Sequence, residues 1–298
     1  MNDHHHDDDR LDRGLAFDVG QLMNRRRALV LFAGAGAGVA LAACGGGDDP
    51  EATASSTSTT TSTTEATAGG AGAPPEGGMG GAETASAGDP NAIPNETAGP
   101  YPGDGSNGPD VLLESGIVRS DITSSFGSST TVAEGIPLTM TLTVTDSDSG
   151  DPLPGHAVYL WHCDREGRYS MYSEGVEGEN YLRGVQEADD AGQVTFTSIF
   201  PACYAGRWPH VHFEVYESLD VATSSGDIVA TSQLAFPEDV CADVYATDGY
   251  EQSVENLSQV SLDSDGIFSD GYDTQMAAMS GSVSAGYTAD LTVPVSTS

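Results

Sequence analysis

The sequence predicts an all-β fold, an antiparallel β-sandwich with Greek-key connections and a loop-rich C-terminal extension. Short segments that alternate apolar and polar residues indicate half-buried strands, because successive side chains of a strand point to opposite faces. Turn-forming residues separate these segments, and no long segment repeats apolar residues with helical spacing. The predicted strands lie at 137–145, 156–162, 193–199, 210–217, 228–236 and 287–293.

The first 43 residues are typical of an export signal. The basic cluster Asn24-Arg-Arg-Arg27 precedes an apolar run over 28–43, which ends in Leu41-Ala-Ala-Cys44. This order of basic, apolar and small residues predicts a signal peptide of lipoprotein type, and the adjacent arginines favour twin-arginine export. We therefore expect removal of residues 1–43 and lipidation of Cys44, which would anchor the protein to the outer face of the cell membrane. A transmembrane helix is the alternative, but the run is short and rich in glycine.

Residues 44–95 are predicted to form a disordered tether. They consist mainly of Ser, Thr, Ala, Gly and Glu, and such a segment buries too little apolar surface to offset the entropy lost on folding. Residues 96–298 have a length that suits one β-sandwich domain.

The chain is strongly acidic. It has 45 acidic residues against 10 cationic ones, all of them arginine, and a formal net charge of −35. Such a surface repels nucleic acid, so we expect no nucleic-acid partner. An arginine beside a functional site would therefore stand out electrostatically.

The strand predicted over 210–217 carries two histidines on one face. His210 and His212 are separated by one residue, so their side chains project together, roughly 7 Å apart along the strand. Val211, Phe213 and Val215 alternate with them and should enter the core. Two imidazoles on one rigid strand form a candidate metal-chelating pair. The alternative is that the histidines are two exposed polar residues.

Two tyrosines and an arginine accompany the histidines. Tyr204 and Arg207 lie on the loop before that strand, and Tyr169 lies at a turn after the strand predicted over 156–162. Two phenols and two imidazoles make a hard, anionic set of donors, which favours Fe(III) over zinc or copper(I). The alternative for Tyr169 is a surface or core aromatic, and for Arg207 it is a surface salt bridge, which we disfavour because the chain has so few cations.

Several further motifs occur in order along residues 96–237. They are Gly99-Pro-Tyr101, Arg119-Ser-Asp-Ile122, Pro152-Leu-Pro-Gly-His-Ala-Val-Tyr-Leu-Trp161, Gly167-Arg-Tyr169-Ser, Tyr181-Leu-Arg-Gly-Val-Gln186 with Asp190-Ala-Gly192, and the segment 200–216. With these motifs the chain resembles the intradiol ring-cleavage dioxygenases, the family of protocatechuate 3,4-dioxygenase and catechol 1,2-dioxygenase. The resemblance implies the same β-sandwich architecture.

The resemblance implies that the cofactor is a non-haem Fe(III) ion. Its ligands would be Tyr169, Tyr204, His210 and His212, and Arg207 would lie over the bound aromatic ring. By the same resemblance Tyr204 leaves the metal and accepts a proton from the substrate. Arg207 would then stabilise the negative charge that develops on the oxygenated ring.

The resemblance also implies roles for residues around these ligands. Gln233 is similar to the family's glutamine beside the metal ligands, and it is predicted to assist catalysis. Tyr101 and Trp208, together with Arg207, are predicted to bind the substrate. Only five residues separate Tyr204 from His210, which is a shorter loop than we expect in members that degrade aromatic compounds.

The implied activity is the opening of a catechol-type ring between its two hydroxyl-bearing carbons, with both atoms of O2 incorporated into a muconate-type diacid. The partners would be a small aromatic diol and O2, and the membrane only through the lipid anchor. The scarcity of cations favours a neutral catechol over one with a carboxylate. The alternative function is a non-catalytic β-sandwich lipoprotein that binds a metal or an aromatic ligand at the same pocket. Whether the chain forms a homodimer stays open.

Three cysteines lie beyond Cys44. Cys163, Cys203 and Cys241 allow three pairings, and an oxidising location outside the membrane favours one disulfide. We favour Cys203–Cys241, with three unpaired thiols as the alternative.

The C-terminal extension after Asp239 contains several aromatic residues and should pack on the sandwich. Its acidic motif Asp263-Ser-Asp-Gly266 does not complete the pattern of a calcium-binding loop, so we interpret it as a turn. The sequence assigns no function to this extension.

Overall fold

The structure is a computed structural model that describes residues 89–297. Its strands are β1 (Pro137–Asp146), β2 (Ala157–Trp161), β3 (Arg183–Glu187), β4 (Gln193–Ile199), β5 (His210–Tyr216), β6 (Ile228–Ala235), β7 (Ala278–Ser282) and β8 (Gly286–Val295). Its helices are α1 (Leu219–Ala222), α2 (Glu238–Tyr245) and α3 (Glu251–Leu257). Two short 3-10 turns follow, Leu262–Ser264 and Phe268–Asp270.

The strands form two four-stranded sheets, in the orders β4-β1-β8-β7 and β3-β2-β5-β6. All neighbours are antiparallel except β1 and β8, which pair in parallel with Leu138 opposite Tyr287. The purely antiparallel prediction is therefore wrong at this pair. The two strands come from distant parts of the chain, so no hairpin forces them to run in opposite directions.

One large apolar core contains side chains of both sheets. From β1 it takes Leu138, Met140, Leu142 and Val144, which are at most 1% exposed. The predicted alternation of β1 is confirmed, and the shared core is compatible with the predicted sandwich. The Greek-key connections stay a prediction.

The sequence does not predict strands β3 and β7. Strand β3 has the sequence RGVQE, with one apolar residue, and β7 has AMSGS with a mostly exposed face. Neither shows the alternation that reveals a strand. Strand β5 is buried along its whole length, so its prediction as half-buried is wrong. It lies between β2 and β6, and aromatic rings contact both histidines of its polar face.

The folded part begins before the predicted boundary at residue 96. Ile93 is 4% exposed and belongs to the large core. Its backbone N–H donates to the carbonyl of Pro294, and the N–H of Glu96 donates to that of Thr231. The predicted signal peptide, Cys44 and the tether up to residue 88 lie outside the described residues. No helix within residues 89–297 is long and apolar enough to cross a membrane.

The predicted Cys203–Cys241 disulfide is absent, and this prediction is wrong. Cys163, Cys203 and Cys241 are buried free thiols. The Cys203 thiol lies 3.4 Å from the carbonyl of Arg207, whereas the Cys241 thiol lies 4.0 Å from that of Phe236, so the two point to different backbone acceptors. Burial raises the pKa of Cys203 to about 12, which keeps this sulfur protonated.

Candidate functional site

Strand β5 places the two predicted histidines side by side. The Nε2 atoms of His210 and His212 are 3.1 Å apart, and the two rings are nearly perpendicular, at 82°. Both side chains are 2% exposed. Val211 and Phe213 enter the large core on the other face of the strand, as the alternation predicts.

The surroundings keep both imidazoles neutral. Nδ1 of His210 donates to the carbonyl of Trp208, which leaves Nε2 as a bare lone pair. Burial, with help from Arg207, lowers the pKa of His210 to about 3. His212 stacks on Trp161 at 5.0 Å, and burial together with His210 holds its pKa well below the ordinary range. A neutral imidazole is the form that binds a metal ion.

Two phenols complete the cluster. Tyr169 follows β2 at a turn, and Tyr204 lies on the loop that leads into β5. The Tyr204 Oη lies 3.1 Å from Nε2 of His210 and 3.5 Å from the Oη of Tyr169. The structure therefore brings the four predicted ligand side chains together, with neighbouring donor atoms 3.1–3.5 Å apart.

This donor set fits a trivalent metal ion. Atoms 3.1–3.5 Å apart match the spacing of ligands around one ion that binds nitrogen and oxygen at roughly 2.0–2.2 Å. Without a cation, two imidazole nitrogens and two phenols would crowd one buried spot, and burial raises the pKa of both tyrosines. A trivalent ion would displace the two phenolic protons and still leave the site cationic. No group of three or more His, Cys, Asp or Glu side chains in residues 89–297 is arranged for a metal ion, so this site depends on its phenols.

Arg207 is held by two polar partners. Its Nε donates to Oδ2 of Asp265 over 2.9 Å, and its Nη2 donates to Oε1 of Gln233 over 2.6 Å. Gln233 is fully buried, and its amide nitrogen donates to the carbonyl of Thr97 over 3.0 Å. Arg207 thus forms an ion pair with Asp265, whose side chain is 0% exposed. The alternative that Arg207 forms a surface salt bridge is therefore wrong.

No local pattern in the sequence predicts a role for Asp265. It lies within the acidic motif that the sequence marks as a turn, and 58 residues separate it from Arg207. A contact over this separation leaves no local pattern in the sequence. The signal that the sequence offers is the excess of acidic residues over arginines, because an arginine near the site is then expected to have an acidic partner.

The two predicted substrate contacts have different surroundings. The ring of Tyr101 lies 5.1 Å from that of Tyr169, directly beside the cluster. Trp208 is 3% exposed, and its indole N–H donates to the carbonyl of Phe236. It packs against Phe268, so little of its surface is left for a ligand, and its predicted substrate contact is not supported.

The N-terminal segment approaches the cluster closely at Gly99. This glycine has a φ of 73°, and a Cβ atom there would lie 3.2 Å from Cε1 of His212. Both the left-handed backbone and the short distance favour glycine. The Gly-Pro-Tyr motif therefore lets the backbone cross the face of the site.

Arg183 holds the segment of Tyr101 and Pro102 through hydrogen bonds to its backbone, a role that no local pattern in the sequence predicts. Its side chain is 1% exposed and donates to the carbonyls of Tyr101 at 2.9 Å and Pro102 at 2.7 Å. It also donates to the carbonyl of Ser170 and to the hydroxyl of Tyr159, each at 3.0 Å. Arg183 therefore joins the segment of Tyr101 to the turn that carries Tyr169.

Glu96 should make stability depend on pH near neutrality. Burial and the nearby Asp270 carboxylate raise its pKa from 4.5 to about 7. The folded protein therefore holds this proton up to about pH 7, whereas the unfolded chain releases it near pH 4.5. The stability contributed by this proton is present at low pH and is lost as the pH rises to about 7. Because Glu96 is only half-buried, we expect a loss of about 1–2 kcal/mol in the free energy of unfolding.

Urea denaturation of wild type and Glu96→Gln at several pH values measures this effect. The variant should lack the decrease between about pH 4.5 and about pH 7. Glu114→Gln, at an exposed glutamate, is the matched control and should keep the wild-type profile. Parallel profiles for wild type and Glu96→Gln would contradict the prediction.

The chain is similar to a known protein family and to several solved structures. A family model described as Dioxygenase matches residues 115–255, which include the four donor residues and Arg207. The structure of an intradiol ring-cleavage dioxygenase from Tetranychus urticae is 25% identical, covers 62% of this chain and 89% of that chain, and has a TM-score of 0.51. The dioxygenase domain of a carbohydrate-binding fusion protein from Streptomyces sp. SirexAA-E is 21% identical, with coverages of 70% and 100% and a TM-score of 0.44. Catechol 1,2-dioxygenase from Acinetobacter sp. ADP1 is 18% identical, with coverages of 59% and 57% and a TM-score of 0.37.

Proposed function

Because the chain belongs to the intradiol ring-cleavage dioxygenase family, we propose that it uses non-haem Fe(III) and O2 to open a catechol-type ring between its hydroxyl-bearing carbons. The product would be a muconate-type diacid. The observation that carries the proposal is the convergence of two neutral imidazoles and two phenols, whose neighbouring donor atoms are 3.1–3.5 Å apart. A fold by itself would not support a reaction, but this donor set does.

Tyr169, Tyr204, His210 and His212 would hold the ferric ion. When bound, the ion would withdraw electron density from the diol and make its ring reactive towards O2. The remaining chemistry depends on the chain's own side chains.

Tyr204 is the proton acceptor in this proposal. It is partly exposed and lies on a loop, whereas Tyr169 is 1% exposed and packs beside Tyr101. Tyr204 can therefore move more easily than Tyr169. Its Oη, already within hydrogen-bond distance of His210, would take a proton from a substrate hydroxyl. Tyr169 would keep its position throughout.

Arg207 supplies positive charge beside the reacting ring. Its side chain is 19% exposed, so the guanidinium is largely shielded from water. Asp265 and Gln233 fix its orientation before the substrate arrives. A guanidinium held in this way stabilises negative charge that develops on the oxygenated ring, at little cost in reorganisation.

The substrate class we propose is an uncharged catechol. Arg207 already pairs with the Asp265 carboxylate, and Glu96 lies close enough to influence the same guanidinium. With a net charge of −35, the protein also repels anions. A ring carboxylate would therefore meet a guanidinium that already has an acidic partner, in surroundings that are otherwise negative.

The visible spectrum of the purified full chain, loaded with a ferric salt, tests the proposal. We expect a tyrosinate-to-iron band that shifts when catechol is added under air and recovers as a diacid forms. Turnover of catechol should exceed that of 3,4-dihydroxybenzoate by at least about tenfold, the order of one unfavourable charge interaction. A protein that stays colourless would contradict the iron site and leave a non-catalytic binding function. Equal turnover of both diols would contradict only the substrate class.

We also propose an extracytoplasmic location, with the protein anchored through lipidated Cys44. The support is the order of basic, apolar and small residues over 24–44. Intact mass of the protein purified from membranes tests this location. A mature chain that begins at a diacylated Cys44 is expected, and an unprocessed chain that begins at Met1 would contradict it.

A further inference from the structure

The loop over 200–208, which carries Tyr204 and Arg207, is held by the C-terminal segment over 245–268. This loop connects β4 to β5 and has no regular secondary structure. The contacts are from Tyr250 Oη to the Phe200 carbonyl at 2.8 Å, from Tyr245 Oη to the Pro201 carbonyl at 3.1 Å, from the Cys203 N–H to Ser253 Oγ at 3.0 Å, from Asn256 Nδ2 to the Cys203 carbonyl at 2.8 Å, and from the Trp208 N–H to Asp265 Oδ2 at 2.7 Å. The backbone on both sides of Tyr204 and Arg207 is therefore fixed from outside the loop.

Asp265 is the residue of this segment that contacts Arg207 directly, and it is fully buried. Its Oδ2 accepts from Nε of Arg207 at 2.9 Å and from the backbone N–H of Trp208 at 2.7 Å. Its Oδ1 accepts from the backbone N–H groups of Ile267 at 2.8 Å and Phe268 at 3.2 Å. One carboxylate oxygen thus holds the loop while the other holds the C-terminal segment. The side chain is 0% exposed, so water does not compete for these bonds.

The partners of Arg207 leave one side of its guanidinium available. Asp265 occupies Nε and Gln233 occupies Nη2, and Phe268 lies 6.0 Å from the guanidinium carbon. No residue within 89–297 accepts a hydrogen bond from Nη1. The two acceptors therefore orient the planar group and leave this nitrogen to a ligand.

We infer that Asp265 is a positioning residue for ring cleavage, and that the C-terminal segment serves the reaction by holding Arg207 in its working orientation. This inference rests on the proposed function. Both Asn256 and Asp265 lie beyond the family match, which ends at residue 255. The contacts of Asn256 and Asp265 therefore come from a part of the chain that the family match does not include, whereas those of Tyr245, Tyr250 and Ser253 lie within it.

The inference predicts a specific defect in Asp265→Asn. The amide keeps an oxygen that can accept from Ile267 and Phe268, but it loses the charge-assisted bond to Arg207. We expect kcat to fall on the order of 10- to 100-fold, as for misoriented groups beside a reacting centre, with KM changed less than about threefold. The iron content and the tyrosinate-to-iron band should match those of wild type, because none of the four donors is altered.

A double-mutant cycle separates positioning from general stability. Wild type, Asp265→Asn, Arg207→Gln and the double variant are compared by kcat, and by urea midpoint as metal-free proteins. If Asp265 acts through Arg207, Asp265→Asn should lower kcat less than about twofold when Arg207 is already replaced. The metal-free midpoints should also be non-additive, because the two side chains are in contact. Asp263→Asn, at an exposed aspartate in the same turn, is the control and should behave as wild type.

Each outcome supports or overturns the inference. An equal loss of kcat in the wild-type and Arg207→Gln backgrounds would overturn it, and so would a kcat of Asp265→Asn within twofold of wild type. A loss of the iron band in Asp265→Asn would assign the residue to the metal site instead and would also overturn it. A wild-type protein that forms no diacid would overturn the proposed function and this inference together, which distinguishes that failure from the others.

Discussion

Tyr204→Phe is expected to lower the turnover number for catechol by roughly 10²- to 10⁴-fold, the range for loss of a general base. The substitution removes only the hydroxyl, whose described contacts are the Oη of Tyr169 and Nε2 of His210. The aromatic ring keeps its edge-on contacts with the same two residues, at 6.0 Å and 5.5 Å. Folding should therefore be preserved, while both the anionic ligand and the proton acceptor are lost.

Turnover and the visible spectrum of the ferric protein measure this effect together. The tyrosinate-to-iron band should weaken but persist, because Tyr169 remains. Tyr287→Phe is the matched control, since it removes a phenolic hydroxyl from β8 in the other sheet and should leave turnover within about twofold. Unchanged turnover in Tyr204→Phe would argue against its role as base, and against the proposed mechanism.

Arg183→Met should lower the free energy of unfolding by about 3–4 kcal/mol, because several buried acceptors lose about 1–3 kcal/mol each. The carbonyls of Tyr101 and Ser170 would lose the donors described above, which belong to a side chain that is 1% exposed. Methionine fills part of the volume but donates no hydrogen bond. The segment of Tyr101 would also be released from the turn of Tyr169, so turnover should fall with stability.

Urea denaturation of the metal-free proteins measures the change in stability. Arg165→Met is the matched control, since Arg165 pairs with Glu134 and Glu166 at the surface. Its loss should change the free energy of unfolding by less than about 1 kcal/mol. If the two variants were equally stable, the proposed fastening role of Arg183 would be wrong. Arg183→Lys should recover only part of the stability, because one ammonium cannot reach acceptors on two sides as a planar guanidinium does.

Local pattern explains which strands the sequence could predict. In β1 every second residue is apolar, and in β5 two histidines alternate with Val211, Phe213 and Val215, so the face of each residue follows from its position. Strand β3 contains Arg183 and Gln186 beside glycine, and its pairing with β2 rather than its own residues makes it a strand. Arginine is rarely buried, because removing its charge from water is costly unless several acceptors bind it.

The same distinction applies to the disulfide and to Trp208. An oxidising location and three cysteines favour a bond in general, but the orientation of two thiols depends on the surrounding backbone. Trp208 lies between Arg207 and β5 in the sequence and is predicted as a substrate contact. In the structure its indole N–H donates to the carbonyl of Phe236 and its ring packs against Phe268.

Residue types and their spacing are enough to predict which strands alternate, that two histidines share one face, and that two phenols and an arginine accompany them in order. These are local properties, set by residue type and by the period of a strand. Which distant groups complete the site depends on the folding of the whole chain. Asp265 reaches Arg207 across 58 residues, and Arg183 reaches Tyr101 across 82. Such contacts depend on how separate segments pack against one another. The residues next to Asp265 and Arg183 in the sequence therefore do not predict these partners.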